Sequence, residues 1–366
     1  MSETVYRRTI PAMGTLVTID VVGDVAGDVA GPGAPQASAQ LAAAVERAFA
    51  WFYQIEQCCT RFDPQSELVR LSAHVGVAVP ASAILYEAVQ FALAVAEESG
   101  GAFDPTVGAA MEMRGFNREY RSGGIVRSAP EGSGWATHRA THRATYRDVR
   151  LDPDRKTITL LRPLLLDLGA VAKGLAIDMA AHELRPFAHF AINAGGDLYV
   201  RGHNAQGGPW SVGIRHPRVP GALFDTLRVS DCAVCTSGDY ERRCPVETEA
   251  GGHHILDPRA ATSEGTDSPE SPVSSAHAAA SATVVAPTAM LADALATAAF
   301  VLGPDDGIAL LERFGVDGLI ISPALERHTT RGMHSDYEFS GSTILPDAEG
   351  PSSDCSGGSD RPGRAN

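Results

Sequence analysis

Apolar and polar positions divide the chain into strands and helices that follow one another without a regular strand–helix–strand rhythm. Residues Tyr6 to Asp20 alternate as a strand does, with Ile10, Leu16, Val17 and Ile19 on the apolar positions and a break at Met13-Gly14-Thr15. Val21 to Gln40 is rich in Gly, Ala and Pro, shows no period and reads as a loop. From Leu41 onwards Val45, Phe49, Phe52 and Ile55 recur at helical spacing. A second helix carries Ile84, Leu85, Ala88, Val89, Ala92 and Val95, and Gly100-Gly101 suits its C-terminal stop. Order is lost between Asn117 and Arg150, where Thr-His-Arg-Ala occurs at 137 and again at 141; this basic stretch reads as an exposed, solvated insertion. Strand-like and helical segments then alternate from Thr157 to Gly238. Thr262 to Ala282 is a Ser/Ala/Pro-rich low-complexity break. Thr288 to Leu302 is a strongly apolar helix, followed by a helix and a strand around Leu310 and Ile320. Mixed elements of this kind predict an α+β fold.

Composition narrows the function classes. The chain has 366 residues, enough for a sizeable core, and a net charge of −14. Neutralising phosphates needs a basic face, so nucleic acid is not an expected partner, and anionic lipid is disfavoured for the same reason. No apolar run approaches the roughly 20 residues needed to cross a bilayer, and Met1 to Ile10 has no secretory h-region. The expectation is a cytoplasmic protein without membrane insertion. Cys232 and Cys235 form a single C-x-x-C, which reads as buried strand positions in the absence of a second matching pair.

Candidate chemistry lies in four places. The apolar run Leu164-Leu165-Leu166 ends in Asp167, turns at Gly169 and enters a helix whose first turn holds Lys173. Such a helix start presents free N–H groups and partial positive charge to a pyrophosphate, with Lys173 as an added point charge. The alternative is a plain strand–turn–helix with the lysine in solvent. Further on, Asp293 and Thr297 stand at i and i+4, the only polar side chains across two apolar turns. Buried there they need partners: either a hard cation, or a bond from Thr297 back to its own helix backbone and a distant Lys or Arg for Asp293. Asn193-Ala-Gly195-Gly196-Asp197 and Thr236-Ser237-Gly238-Asp239-Tyr240 are strand-end turns. His254, in His253-His254-Ile-Leu-Asp257-Pro258, is a candidate acid–base residue.

The order of these motifs is more specific than any one of them. Met13-Gly-Thr, Phe62-Asp-Pro-Gln-Ser66-Glu-Leu, Gly101-Ala-Phe103-Asp104-Pro-Thr-Val-Gly108 and Asp167-Leu-Gly-x3-Lys173-Gly come first. The Asn193 and Thr236 turns, His254-x2-Asp257-Pro and Asp293-x3-Thr297 follow. This succession resembles the FAD:protein FMN transferases (ApbE-type flavin transferases) over residues 6 to about 340. The resemblance implies a T-fold-like α+β architecture with FAD, as substrate, between two halves of the chain. It implies one transferase domain over 1–346, with insertions at about 117–150 and 260–283, and a disordered tail over 347–366. Met13, Phe62, Ala102, Phe103, Asp104, Asp167, Lys173 and Leu256 would line the FAD site. The Ala170 carbonyl, Asp293 and Thr297 would hold Mg²⁺, and His254 would be the base. The implied partner is an acceptor protein whose Thr or Ser becomes flavinylated; an Mg²⁺-dependent FAD pyrophosphatase and a non-catalytic flavin carrier are the rival readings. The chain departs from its look-alikes at Arg114, where they usually carry tryptophan, and at Ala296, where some have a second acid.

Overall fold

The computed structural model describes residues 3–23, 34–130, 144–241, 253–259 and 279–335. The repeated Thr-His-Arg stretch, residues 260–278 and the tail after Pro346 lie outside them.

Strands β1 (Val5–Ala12) and β2 (Thr15–Val22) pair antiparallel, Ala12 opposite Thr15. The two residues between them, Met13 and Gly14, have φ of 50° and 74°. Two positive φ values let so tight a turn follow the strand twist, and glycine adopts the second without strain. The break read at Met13 is therefore the turn of a hairpin.

Helix α1 (Ala34–Cys59) buries Leu41, Val45, Phe49, Phe52 and Ile55, the predicted stripe. It begins at Ala34, and Val21-Val22 belong to β2, so the loop expected over Val21–Gln40 is cut back at both ends. Residues 37–40 face solvent, which is why no apolar period marked them. Next come α2 (Glu67–Ser72), β3 (Ala78–Pro80), α3 (Ala83–Glu98) and α4 (Gly108–Met113). Ser66 and Ser82 cap α2 and α3, each hydroxyl accepting an N–H of the first turn. Strands β4 (Val149–Asp152) and β5 (Thr157–Leu160) join β3 in a small antiparallel sheet ordered β3-β5-β4. The predicted exposed insertion is thus anchored at both described ends: Asn117, Ala144 and Tyr146 are buried, and Val149 already pairs in β4.

The remainder builds the large sheet. Helix α5 (Gly169–Glu183) leads to β6 (His189–Ala194), β7 (Asp197–Arg201), β8 (Trp210–Arg215), β9 (Leu223–Val229) and β10 (Cys232–Gly238). Then follow β11 (Ser281–Ala286), α6 (Ala289–Leu302), α7 (Pro304–Phe314), β12 (Asp317–Ile321), β13 (Arg327–Thr329) and α8 (Arg331–Ser335). The low-complexity break expected through Ala282 ends earlier, because Ser281 and Ala282 already pair with Gly238 and Ser237 of β10.

Eight strands form an antiparallel sheet ordered β1-β2-β6-β7-β10-β11-β12-β13, and β8–β9 is a separate hairpin. Alternation along the strands sorts side chains to two faces. Ala233, Cys235, Val284 and Ile320 join the main core with α1, α5 and α6; Val234, Val285, Leu319 and Ile321 join a smaller one with the β8–β9 hairpin and Met333. Cys232 and Cys235 therefore belong to opposite faces and cannot share a metal, and burial pushes the Cys232 thiol up to about 12. The fold is α+β.

Helices α5 and α6 cross at very short range. A Cβ on Gly174 would lie 2.5 Å from the Ala289 carbonyl oxygen and from Met290 Cα, so only glycine permits this approach. One turn on, the Asp178 carboxylate accepts from the Ala289 and Met290 N–H groups at 2.7 and 2.9 Å. It caps α6 from a neighbouring helix and so fixes where Asp293 and Thr297 stand.

Candidate active site

A cavity of about 980 Å³ opens where the β1–β2 turn, the end of α1, the start of α5, the end of β10 and α6 meet. All twelve candidate site residues read from the sequence line it, from Met13 to Thr297.

One wall is organised by an arginine. Arg61 is almost fully buried, and its Nε donates to Asp167 Oδ2 at 2.7 Å. Its Nη2 donates to the Phe116 carbonyl, and its guanidinium lies 4.2 Å from the centre of the Phe62 ring. The other oxygen of Asp167 accepts the Gly169 N–H at 2.8 Å, so this carboxylate caps α5. The Val171 and Ala172 N–H groups bond to the Leu168 carbonyl, so the first turn of α5 offers a pyrophosphate fewer free donors than its sequence promised. Asp104 is likewise engaged: it accepts from Thr106 N–H and hydroxyl at 2.9 and 2.7 Å and from Tyr146 N–H at 3.2 Å. It shapes the cavity floor beside Ala102 and Phe103 through these bonds.

The opposite wall is a polar centre. Lys173 forms an ion pair with buried Asp197, and its Nζ lies 3.9 Å from Asp293 Oδ2. Asp197 Oδ1 accepts the Thr236 N–H at 3.1 Å, and Thr297 Oγ1 is 3.1 Å from Ser237 Oγ. Lys173 is therefore not in solvent, and the two polar residues of α6 both face this centre. Ala296 is fully buried in the helical core, so α6 presents a single carboxylate to the cavity.

The two adjacent histidines take different roles. The His253 ring stands edge-on to Phe300 at 5.2 Å, and burial lowers its pKa, favouring the neutral form. His254 faces the cavity with its ring edge toward Phe116 at 6.5 Å. Leu256, two residues on, clusters with Ala110 and Met111 of α4 and holds this segment down.

Asp293, Thr297 and Ala170 line the same cavity, and the donors they could offer a cation there are a carboxylate, a hydroxyl and a backbone carbonyl. Among the described residues no three His, Cys, Asp or Glu side chains cluster as a metal site. A hard-oxygen set with so few protein donors fits Mg²⁺, which keeps water and phosphate in its shell, and does not fit a thiolate- or imidazole-bound metal.

Several lining or supporting residues were not singled out in the sequence. Arg61 merely precedes a motif, and Asp197 closes a turn motif without an evident task. Tyr120 lies against the Gly14 turn and donates to Glu56 at 3.0 Å, and Arg121 Nη2 also donates to Glu56 at 3.0 Å. The start of the predicted solvated insertion thus forms part of the cavity mouth.

The sequence model of the ApbE family matches residues 13–320. A FAD:protein FMN transferase of Treponema pallidum (strain Nichols) is 34% identical over 322 residues, covering 81% of this chain and 82% of that protein. One from Haemophilus influenzae is 29% identical over 264 residues, covering 69% and 70%. The crystal structure of the ApbE protein of Thermotoga maritima superposes with a TM-score of 0.72 at 27% identity, covering 90% of this chain and 98% of that one. Among the described residues no helix is long and apolar enough to cross a membrane.

Proposed function

This chain belongs to the ApbE family, and from that premise we propose that it transfers FMN from FAD to a threonine or serine hydroxyl of an acceptor flavoprotein. In this reaction a bond forms between the acceptor oxygen and the FMN-side phosphorus. The pyrophosphate bridge breaks, AMP leaves, and FMN remains on a phosphodiester. The observation that carries the reading is convergence: a lysine, a carboxylate–hydroxyl pair on α6, a histidine and an aromatic wall, far apart in sequence, line one cavity. Its volume is at the upper end for small-molecule sites, roughly 300–1,000 Å³, as a dinucleotide requires.

Asp293, Thr297 and the Ala170 carbonyl would hold Mg²⁺, whose charge would offset that of the pyrophosphate. Lys173 adds a positive charge on the same side of the cavity. Phe62, Phe103, Met13 and Leu256 give flavin or adenine an apolar surface, and Arg61 keeps Phe62 and Asp167 in fixed relation. His254, which lines the cavity, takes the proton of the acceptor hydroxyl as its oxygen attacks.

The test is to incubate the protein with FAD and Mg²⁺, with and without a hydroxyl-bearing acceptor domain, and to follow AMP and the acceptor's intact mass. AMP released with the acceptor, together with an FMN adduct, is the expected result. AMP in equal amount without an acceptor would replace this reading with a pyrophosphatase. No AMP under either condition would leave a flavin carrier.

A further inference from the structure

Lys173 stands between two buried carboxylates. It pairs tightly with Asp197 and lies 3.9 Å from Asp293. The Asp197 side chain is about 4% exposed, and its second oxygen is pinned by the Thr236 N–H of β10. Asp197 is therefore held on the sheet, whereas the four-carbon stem of a lysine can swing. Lys173 is thus shared between a carboxylate it pairs with tightly and one at longer range. If Asp197 were neutral, Asp293 would be the carboxylate left for Lys173 to pair with.

From this geometry we infer that Asp197 is a positioning residue that draws Lys173 toward the sheet and weakens its hold on Asp293, so that the lysine competes less with a divalent cation for that carboxylate. The inference rests on the proposed reading of Asp293 as a cation ligand. It adds a role for a buried residue that is not among those lining the cavity. An ammonium and a divalent cation compete for one carboxylate, and at this range in a partly buried site the lysine's hold is strong. Asp197 reduces that competition while leaving Lys173 beside the cavity, where it can meet a phosphate.

The test is Mn²⁺ binding to the FAD-free protein, read by electron paramagnetic resonance, with far-UV circular dichroism as the check on folding. Asp197→Asn keeps the shape and an acceptor for Thr236 but removes the charge, and is expected to weaken Mn²⁺ binding about tenfold or more. Adding Lys173→Met to that variant is expected to restore affinity to within about threefold of the unaltered protein, because anion and competitor leave together. Lys173→Met alone should not weaken binding, which keeps the inference testable if Asp197→Asn fails to fold. Unchanged Mn²⁺ affinity in Asp197→Asn, or no rescue by Lys173→Met, would overturn the inference and make Asp197 merely structural. A tenfold loss in Lys173→Met alone would overturn it too. Asp293→Ala separates the two levels: if it binds Mn²⁺ as the unaltered protein does, or if the unaltered protein binds none, the cation reading itself falls.

Discussion

Replacing Gly174 by alanine sets two physical rules against each other. By helix propensity alone the change stabilises, since alanine exceeds glycine by about 1 kcal/mol in a helix interior. The crossing of α5 and α6 predicts the opposite. The new methyl would sit 2.5 Å from the Ala289 carbonyl oxygen and Met290 Cα, both main-chain atoms that no rotamer change can move. Ordinary contact requires the helices to part by roughly 1 Å, and overpacking of this kind costs about 1–3 kcal/mol. The same displacement lengthens the bonds by which Asp178 caps α6, and losing a cap costs a further 0.5–2 kcal/mol or so. Subtracting the propensity gain leaves a net destabilisation of about 0.5–4 kcal/mol. Urea unfolding followed by circular dichroism measures it directly. Because α6 carries Asp293 and Thr297, Mg²⁺-dependent AMP release should fall even in the fully folded fraction. A Gly174→Ala protein that is more stable than its parent and equally active would refute the argument from helix contact.

Three further expectations follow from individual contacts. Burial raises the Asp178 carboxyl to about 6 against the opposing pull of its two N–H partners. The folded state then holds a proton that the unfolded chain releases, so this residue's contribution to stability grows as pH falls from about 6 towards the model-peptide range near 4. Asp178→Asn should remove that slope, worth roughly 3 kcal/mol between pH 7 and 4; a difference curve that is flat or of opposite sign would show that the cap bonds prevail. Arg61→Lys retains a charge but not the fork joining Asp167 to the Phe116 carbonyl, and should raise KM for FAD about tenfold with a smaller effect on kcat; unchanged KM in steady-state assays would reduce Arg61 to a filler. His254→Asn should lower the single-turnover rate on the order of 10²–10⁴ with FAD affinity kept, and a loss under tenfold would make this histidine a binding residue.

What could be read in advance depended on how local its cause was. Asp293 and Thr297 were legible because helical spacing alone puts them on one face of an otherwise apolar segment. The alternation on either side of the Met13 break and the main stripe of α1 were legible for the same reason, as short periods visible within a few residues, although the break showed itself as a hairpin turn only in the fold. Arg61 was not: its partners Phe116 and Asp167 lie 55 and 106 positions away, and nothing in its neighbourhood distinguishes it from a surface arginine. Gly174 was visible as a motif letter, but its cause is the backbone of Ala289 and Met290, on another helix. The first turns of α1 expose residues 37–40, and a helix whose first turns bury no face leaves no pattern there. Asp197 lies between these extremes. Its turn was plain in the sequence, yet its task depends on Lys173 reaching across from α5, with Asp293 of α6 on the lysine's other side. The site residues found by periodicity, Asp293 and Thr297, present oxygen to the cavity from one helix face. Those that escaped are the buried ion-pair partners that hold these groups in place, and charge balance among three elements can be assessed only once those elements are packed together.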